Sequence, residues 1–344
     1  MSWRDLDESD VRVRPGKGSR PRTKTRPAHR DAVHGHVVAV DRGRFTVLVG
    51  DRTVLAMKAR EVARRSGIVV GDEVALVGDV SGGAGTLARI VRVQPRRTVL
   101  RRSADDTDPV ERVIVANADQ LVIVTSLIDP LPRPRLIDRC LIAAYDAGLD
   151  PLLVLTKADL TSPDEFIASY APLGVRSLVT SQLPASGLEG TCGAGRLTGL
   201  DELRNHLTDR ISVLVGHSGV GKSTLVNALV PGADRSTGPV NEVTGRGRHT
   251  STSAVALALP GGGWVIDTPG VRSFGLAHVD LDRIISHFPD LAPGTAECPR
   301  GCTHDEPECA LDDYVAAGFA GPPGTNRLDS VRRLLRARGS EPGG

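Results

Sequence analysis

Hydrophobic and polar residues alternate with two different periods along this 344-residue chain, and the period changes near Pro95. Before that point, short runs rich in β-branched residues are separated by turns that contain Gly and Asp. Five strands are predicted there: Val33–Val40, Arg44–Val49, Thr53–Met57, Glu73–Val77 and Thr86–Val93. Five strands in about 60 residues indicate a small β-barrel, either of the oligonucleotide-binding (OB) type or of the SH3-like type.

Beyond Pro95, apolar runs of strand length alternate with helical patterns. The predicted strands are Leu121–Ser126, Pro151–Leu155, Ile211–Val215, Ser253–Leu259 and Gly263–Ile266. The predicted helices are Arg135–Ala147, Leu200–Thr208 and Ser223–Leu229. This alternation is typical of a mostly parallel sheet with helices on both faces. From about Phe274 onward the pattern is helical and is interrupted by a cluster of Cys and His.

A glycine-rich loop between a predicted strand and a predicted helix matches the pattern G-x-x-x-x-G-K-[ST]. In that setting the backbone N–H groups and the helix N-terminus can bind phosphate oxygens. Lys222 is expected to reach the β- and γ-phosphates, and Ser223 to bind Mg²⁺. The predicted phosphate-binding residues are Gly216, His217, Ser218, Gly219, Val220, Gly221, Lys222, Ser223 and Thr224. This phosphate loop does not by itself distinguish GTP from ATP.

The base is expected to be recognised by Thr156-Lys157-Ala158-Asp159, which follows an apolar run. The Asp159 carboxylate can accept hydrogen bonds from guanine N1–H and N2–H₂, and adenine offers no such pair of donors. Lys157 can lie along the base, and Thr156 replaces the Asn of the more familiar motif N-K-x-D. About twenty residues later, a Val-Thr-Ser sequence resembles a loop whose backbone contacts guanine O6, which adds two candidates, Thr180 and Ser181.

Two segments after the phosphate loop have the character of nucleotide switches. In Asp267-Thr268-Pro269-Gly270, the aspartate can hold Mg²⁺ through water and the glycine N–H can meet the γ-phosphate. In the sequence G-R-G-R-H-T-S-T at residues 245–252, a threonine can complete the Mg²⁺ shell only while the γ-phosphate is present. Thr250 is the first candidate and Thr252 the second; a flexible basic loop without this role is the alternative.

The order of these motifs differs from that of ordinary GTPases. The base-reading motif at 156–159 precedes the phosphate loop at 216–223, whereas ordinary GTPases have the reverse order. The order therefore indicates a circular permutation. One consequence is that Asp267–Gly270 ends the nucleotide-binding module and leads directly into the C-terminal segment.

Three of the five cysteines lie close together with one histidine, in the pattern C-x3-C-x-H-x4-C. Three thiolates and one imidazole suit tetrahedral Zn²⁺, and four protein ligands leave no open position, so a structural role is expected. Free buried cysteines are the alternative. The four predicted ligands are Cys298, Cys302, His304 and Cys309.

Composition and charge restrict the remaining possibilities. The chain is 40% hydrophobic and only 3% aromatic, so its cores are expected to be aliphatic. No run approaches the roughly 18 apolar residues of a membrane helix, and no signal-peptide pattern or disulfide framework is evident, so a cytoplasmic protein without a membrane partner is expected.

Positive charge is concentrated in two places. Residues 11–30 hold eight Lys or Arg and no acid, so this arm is expected to be disordered in isolation. It is either a solubilising tail or an arm that folds onto nucleic-acid phosphates. A second basic cluster, Arg327–Arg338, lies on a predicted terminal helix.

Together these motifs resemble the RsgA (also called YjeQ) family, the bacterial ribosome small-subunit-dependent GTPases, which are circularly permuted. The resemblance covers about residues 32–340 and includes Asn117-Ala118-Asp119-Gln120, T-K-A-D, G-H-S-G-V-G-K-S-T, G-R-G-R-H-T-S-T, D-T-P-G and C-T-H-D-E-P-E-C. It implies an OB-fold at 32–97, a permuted GTPase domain at 98–273 and a helical zinc-binding domain at 274–344. The basic arm at 1–31 is not a general feature of the family. Members commonly space the zinc ligands as C-x4-C-x-H-x5-C, one residue longer on each outer side than here.

The resemblance also implies a function. The expected activity is hydrolysis of GTP to GDP and phosphate, with Mg²⁺ held by Ser223, Thr250 and Asp267. The expected partners are GTP, GDP, the small (30S) ribosomal subunit late in its maturation and its 16S rRNA, with the protein acting as a monomer. Val271 stands where many GTPases place a water-orienting Gln, so His249 is expected to orient the attacking water; contact with RNA is its alternative role. The predicted catalytic residues are His249, Lys222 and Thr250.

Two other functions remain open at this stage. In one, an RNA-binding chaperone uses GTP only as a timer, and RNA affinity survives the loss of Lys222. In the other, the chain is an ATP-dependent enzyme such as a small-molecule kinase, and Asp159 does not set the nucleotide preference.

Overall fold

The structure is a computed structural model of the chain, and it describes residues 29–60, 62, 67–102, 112–182, 197–233, 254–268, 274, 276, 279 and 281–339. The chain from Ala32 onward belongs to the larger of two compact units. Of the predicted basic arm at 1–31, residues 1–28 lie outside the described residues.

The first part of the larger unit is the predicted β-barrel. Its strands are β1 (Val33–Asp41), β2 (Arg44–Val49), β3 (Arg52–Lys58), β4 (Glu73–Gly78) and β5 (Ala88–Val93). They pair in the order β1-β2-β3-β5-β4, and β4 pairs back with β1, so the sheet is closed. Inward side chains alternate along the strands and fill the interior with aliphatic groups and one phenylalanine, Phe45. The five-stranded OB-type barrel is confirmed.

The second part is the predicted α/β module. A hairpin of β6 (Val99–Arg102) and β7 (Arg112–Ala116) leads into it. The elements that follow are β8 (Gln120–Ser126), α1 (Pro134–Ala147), β9 (Asp150–Thr156), α2 (Asp164–Tyr170), β10 (Arg176–Val179), β11 (Ser181–Gln182), β12 (Leu197–Thr198), α3 (Leu200–Leu207), β13 (Ile211–Val215), α4 (Lys222–Leu229), β14 (Val255–Ala258) and β15 (Trp264–Asp267).

The main sheet of this module has the order β10-β9-β8-β13-β15-β14. Its first five strands run parallel, and β14 is antiparallel to β15. Strand β8 is buried at every position, as expected for a strand with helices on both faces. The nucleotide-binding motifs follow the carboxyl ends of β9, β13 and β15, where parallel sheets place their ligands.

Barrel and module are joined at two places. Strand β14 pairs with β1 of the barrel through Ala39 and Val255, which produces one continuous 11-stranded sheet. A second junction lies in the turn between β7 and β8, where the side-chain amide of Asn117 donates to the Gly71 carbonyl at 2.9 Å and accepts from the Arg97 backbone N–H at 2.7 Å. The motif Asn117–Gln120 therefore serves this junction.

The C-terminal segment contains α5 (Leu281–Ser286), a 3-10 helix (Ala292–Glu297), α6 (Ala310–Ala316) and α7 (Gly324–Gly339). This segment shares its core with α1. Tyr145 of α1 packs against the rings of His287 and Phe288, with centroids 5.1 and 5.4 Å apart. Cys140, also on α1, is fully buried there, and burial raises the pKa of its thiol to about 12. Cys140 is a packing residue.

The basic cluster on α7 is confirmed as helical, and four of its arginines form ion pairs with other segments of the same chain. Four of its arginines each form an ion pair with an aspartate from a different segment. The pairs are Arg327–Asp290, Arg332–Asp312, Arg333–Asp138 and Arg336–Asp305. Helix α7 therefore connects α1 with the loop that contains the predicted zinc ligands.

Candidate nucleotide-binding site and metal centre

The phosphate loop curls between β13 and α4, and its glycines are required there. A Cβ on Gly216 would lie 2.4 Å from the Val124 carbonyl oxygen of β8, which is closer than any side chain tolerates. Gly221 has a φ of +90° and immediately precedes the first residue of α4. The loop therefore packs directly on β8 and leads into the N-terminus of α4, where the sequence predicts that phosphate binds.

Lys222 lies between the phosphate loop and the end of β15. Its ammonium is 3.1 Å from Asp267 Oδ1 and 3.5 Å from the Thr268 carbonyl. The buried Thr268 hydroxyl donates to the Leu214 carbonyl of β13 at 2.8 Å, which fixes the end of β15 against the strand that carries the loop. In this arrangement the Lys222 ammonium can bind a phosphate, and the Asp267 carboxylate can bind the metal ion that accompanies it.

The base-reading motif lines a cleft of about 330 Å³ that also contains residues of the phosphate loop. Asp159 Oδ1 accepts a hydrogen bond from the Gln182 backbone N–H at 3.0 Å, which orients the carboxylate in this cleft. The residues that line the cleft are Thr156, Lys157, Asp159, Leu160, Thr180, Ser181, Gln182, Leu197, Gly219, Gly221, Thr224 and Leu225. The motifs that are about 60 residues apart in sequence thus form one cavity of the size of a small-molecule site.

Thr156 links the two halves of the cleft. Its buried hydroxyl donates to the Val220 carbonyl of the phosphate loop at 2.7 Å. The residue that departs from the N-K-x-D pattern therefore fixes the base-reading loop to the phosphate loop. Thr180 is equally buried, and its N–H donates to the Leu155 carbonyl at 2.8 Å, so the third loop is anchored to the end of β9.

Lys157 has a left-handed backbone, with φ of +61°, and its ammonium donates to the Asp129 carbonyl in the loop after β8. That loop also depends on Ser126, whose hydroxyl lies 2.6 Å from the Ile128 carbonyl and 2.8 Å from the Pro130 carbonyl. Sequence reasoning did not find Ser126, because a serine at the end of an apolar strand carries no motif.

Several predicted residues lie outside the described part of the chain. These are His249, Thr250, Thr252, Gly270 and Val271. Their predicted roles in water positioning and in the magnesium shell stay predictions. Asp267 and Ser223 are described: Ser223 is the second residue of α4, and Asp267 is the last residue of β15.

The four predicted zinc ligands converge. One ligand atom from each of Cys298, Cys302, His304 and Cys309 lies within 4.8 Å of all the others. Cys298 Sγ is 3.6 Å from His304 Nδ1 and 3.9 Å from Cys309 Sγ, and Cys309 Sγ is 3.9 Å from the same nitrogen. The edge of a tetrahedron around Zn²⁺ is about 3.8 Å for sulfur ligands at roughly 2.3 Å. The three distances among Cys298, His304 and Cys309 match this edge, and the Cys302 ligand atom lies within 4.8 Å of the others, so the group could hold a metal ion despite the shortened spacing.

Neighbouring side chains support the metal-ligand loop. Arg332 donates to the His304 carbonyl at 2.8 Å and forms two hydrogen bonds to Asp312 at 2.7 and 2.8 Å. The Thr303 hydroxyl and N–H donate to Glu306 and hold the pKa of this carboxyl at about 2. These contacts close the loop between the second and the fourth ligand.

No helix of the described part of the chain is long and apolar enough to cross a membrane.

A protein-family model described as RsgA GTPase matches residues 93–277. Curated relatives named small ribosomal subunit biogenesis GTPase RsgA include one from Pseudomonas aeruginosa, 41% identical over 271 residues, which cover 78% of this chain and 75% of that protein. The relative from Chlorobaculum parvum is 34% identical over 332 residues, covering 94% of this chain and 93% of its own.

Two solved structures share the fold. The crystal structure of YjeQ from Thermotoga maritima has a TM-score of 0.62 and 25% identity, and covers 89% of this chain and 98% of its own. The structure of YloQ, described as a circularly permuted GTPase, has a TM-score of 0.61 and 22% identity, with coverages of 91% and 97%.

Proposed function

The chain belongs to the RsgA GTPase family, and on that premise we propose that it binds the small (30S) ribosomal subunit and assists its late maturation. In this proposal the subunit stimulates the hydrolysis of GTP to GDP and phosphate. The names of the curated relatives support the ribosomal part, because one of them matches 94% of this chain. Membership of a GTPase family argues against the ATP-dependent kinase.

The single observation that carries the nucleotide assignment is the shared cleft of Asp159 and the phosphate loop. Asp159 accepts the two guanine donors, and the Thr156–Val220 hydrogen bond fixes the distance between base and phosphates. Backbone N–H groups from Gly216 to Thr224 surround the phosphates, and Lys222 neutralises charge that develops on them. Lys157, Thr180 and Ser181 complete the walls around the base.

Mg²⁺ supplies charge neutralisation at the β- and γ-phosphate oxygens when it is bound. Ser223 and Asp267 would hold it, and Thr250 would join them while the γ-phosphate is present. His249 orients the attacking water in this proposal, because the position of Val271 offers no polar group for that task. Thr250 and His249 belong to one short segment, so ordering of that segment by the subunit would assemble both groups at once.

The Cys₃His group holds one structural Zn²⁺ in this proposal, since four ligands leave no position for a substrate. In this proposal the barrel, the basic arm and the C-terminal segment contact 16S rRNA. Aromatic stacking contributes little from the barrel, whose described strands carry one aromatic residue, Phe45. The protein acts as a monomer in the cytoplasm.

The nucleotide assignment is tested by Asp159→Asn. An amide replaces one acceptor by a donor, which suits the xanthine edge and opposes the guanine edge. The expected result is a shift from guanine toward xanthine nucleotides, read from the hydrolysis of GTP and XTP side by side. Unchanged preference would remove Asp159 from the base site.

The ribosomal assignment is tested by co-sedimentation with purified small subunits, with large subunits as the control. Tighter binding is expected with a non-hydrolysable GTP analogue than with GDP, because the switch segments report the γ-phosphate. Lys222→Ala supplies the second arm. Full subunit affinity of this variant without nucleotide, and no dependence on nucleotide in the wild type, would favour the RNA-chaperone alternative.

A further inference from the structure

Residues 127–130, the loop that follows β8, contact both nucleotide-binding motifs. The backbone N–H of Leu127 donates to the Thr156 carbonyl at 3.1 Å, just before the base-reading residues. Pro130 Cδ lies 3.5 Å from the place that a Cβ on Gly219 of the phosphate loop would occupy. The 127–130 loop therefore lies against the base-reading loop and against the phosphate loop.

Lys157 joins the base-reading loop to the 127–130 loop. Its ammonium donates to the Asp129 carbonyl, and the residue lines the cleft that contains Asp159. A lysine side chain has many rotamers, and ordering it when a ligand binds costs free energy. A carbonyl that already holds the ammonium removes part of this cost, because the aliphatic stem is held beside the cleft before the nucleotide arrives.

The place of the Asp129 carbonyl depends on Ser126, the last residue of β8. Ser126 is fully buried, and its hydroxyl oxygen lies 2.6 Å from the Ile128 carbonyl oxygen and 2.8 Å from the Pro130 carbonyl oxygen. These carbonyls belong to the residues on either side of Asp129. One buried hydroxyl thus holds both neighbours of the carbonyl that accepts the Lys157 ammonium.

Ser126 is itself fixed by the sheet. In the parallel register of β8 and β9 it pairs with Thr156, the residue before Lys157, and the Thr156 hydroxyl donates to the Val220 carbonyl of the phosphate loop at 2.7 Å. Both ends of the contact between Lys157 and the 127–130 loop therefore start from one pair of strand residues. We propose that Ser126 is a positioning residue for the nucleotide, which fixes Lys157 beside the base by holding the Asp129 carbonyl.

A lysine stem that lies along the face of a base touches none of the hydrogen-bonding groups at the edge of that base. Loss of its fixed position therefore weakens guanine and xanthine nucleotides by the same factor, whereas Asp159→Asn changes the preference between them. The γ-phosphate is not involved either, so GDP and a non-hydrolysable GTP analogue are weakened equally. These expectations separate Ser126 from the residues that read the base edge or the γ-phosphate.

The test is Ser126→Ala in the full chain. Affinities for fluorescent GDP, XDP and the GTP analogue are measured by stopped flow, and hydrolysis of GTP is measured without ribosomes. The expected result is about a tenfold loss of affinity for all three, caused by faster dissociation, and about a tenfold higher KM with an unchanged kcat. Ser126→Cys keeps nearly the same shape with a weaker donor; it is expected to lose less, and it carries the test if Ser126→Ala does not fold.

Ser212→Ala is the matched control. Ser212 is an equally buried serine of the neighbouring strand β13, where its hydroxyl accepts from the Gln120 side-chain amide at 2.8 Å, and it lies near the end of β13 that is remote from the phosphate loop. It is expected to leave affinity, KM and kcat unchanged. Unchanged affinity in Ser126→Ala would overturn the proposal. An equal loss in Ser212→Ala, or a fall in kcat together with affinity, would do the same, because either indicates a merely structural role.

The inference rests on the proposed place of Lys157 along the base, and Lys157→Met separates the two. Lys157→Met is expected to weaken GDP binding about tenfold or more, and adding Ser126→Ala to it is expected to cause no further loss, because one residue acts through the other. If Lys157→Met leaves GDP affinity unchanged, the assignment of Lys157 is wrong and the inference fails with it. If Lys157→Met weakens GDP binding but Ser126→Ala does not, or if the two losses multiply in the double variant, only the role of Ser126 is wrong.

Discussion

At the scale of single residues, Thr156 joins the two parts of the proposed nucleotide cleft, the loop at 156–159 and the phosphate loop. Its hydroxyl is buried and donates to the Val220 carbonyl at 2.7 Å. A buried carbonyl that loses its donor keeps its desolvation cost, which makes this bond more expensive to remove than its net strength suggests. The side chain that breaks the familiar motif is therefore an integral part of the site.

Thr156→Val keeps the shape of the side chain and removes the donor. We expect GDP affinity to fall about tenfold, since an unpaired Val220 carbonyl costs about 1–3 kcal/mol. Thr156→Ser, which keeps the hydroxyl, should retain most of the affinity. Equilibrium titration with a fluorescent GDP analogue compares the three proteins. Equal affinity of the Thr156→Val variant and the wild type would show that the hydrogen bond does not support the cleft.

The sequence predicts some of these residues and not others for a clear physical reason. Asp159 and Lys222 belong to local motifs whose chemistry follows from residue type and spacing. The hydrogen bond from Thr156 to the Val220 carbonyl joins residues 64 positions apart in the sequence. The hydrogen bond from Arg139 to the Phe274 carbonyl joins residues 135 positions apart. Such pairs depend on the packing of β9, β13 and α1, which no local pattern contains.

At the scale of elements, α7 shows what the basic cluster on the predicted terminal helix does. The structure pairs four of its arginines with aspartates of four other segments. The period of the helix was readable in the sequence. The partners were not, because Asp138 lies nearly 200 residues earlier, on a helix of the α/β module.

Arg332 gives this role of α7 a measurable consequence. Arg332 donates hydrogen bonds to the carbonyl of His304, a predicted zinc ligand, and to the carboxylate of Asp312. Its hydrogen bonds hold the pKa of Asp312 below the usual range. Loss of a side chain that orients a metal ligand typically costs about 10–100-fold in metal affinity. We therefore expect Arg332→Met to weaken Zn²⁺ binding about tenfold or more.

The measurement is zinc release to a chromogenic chelator. Arg327→Met is the control, because it removes an arginine of the same helix whose partner, Asp290, is not in the metal-ligand loop. Identical release from both variants would mean that α7 does not hold the loop through Arg332.

At the scale of the whole molecule, the barrel and the C-terminal segment each contact the chain next to one switch. Strand β14 begins three residues after the predicted switch at 245–252 ends, and it pairs with β1 of the barrel. Phe274 follows the second switch and is held within the core shared with the C-terminal helices. The permuted order predicted the second connection, but the pairing of β1 with β14 has no signature in the sequence.

Substitutions of Asn117 test whether its contacts between the barrel and the α/β module stabilise the folded protein. Asn117 has a left-handed φ of +56° and bonds to Gly71 and Arg97. Asn117→Ala loses the bonds and adds backbone strain, so we expect a loss of about 2–3 kcal/mol in the free energy of unfolding.

Asn117→Gly loses the same bonds without the strain, and about 1–2 kcal/mol is expected. Urea unfolding followed by far-UV circular dichroism compares the two variants with the wild type. Lower midpoints in both variants, with the larger decrease in Asn117→Ala, would support the junction, whereas unchanged midpoints would contradict it.

The central claim is that this permuted GTPase responds to the small ribosomal subunit, and its most direct test is GTP hydrolysis with and without purified small subunits. We expect slow basal turnover and an increase of about tenfold or more with small subunits, none with large subunits, and no increase in His249→Ala. Intact GTP binding with the same turnover in the presence and absence of small subunits would contradict the claim.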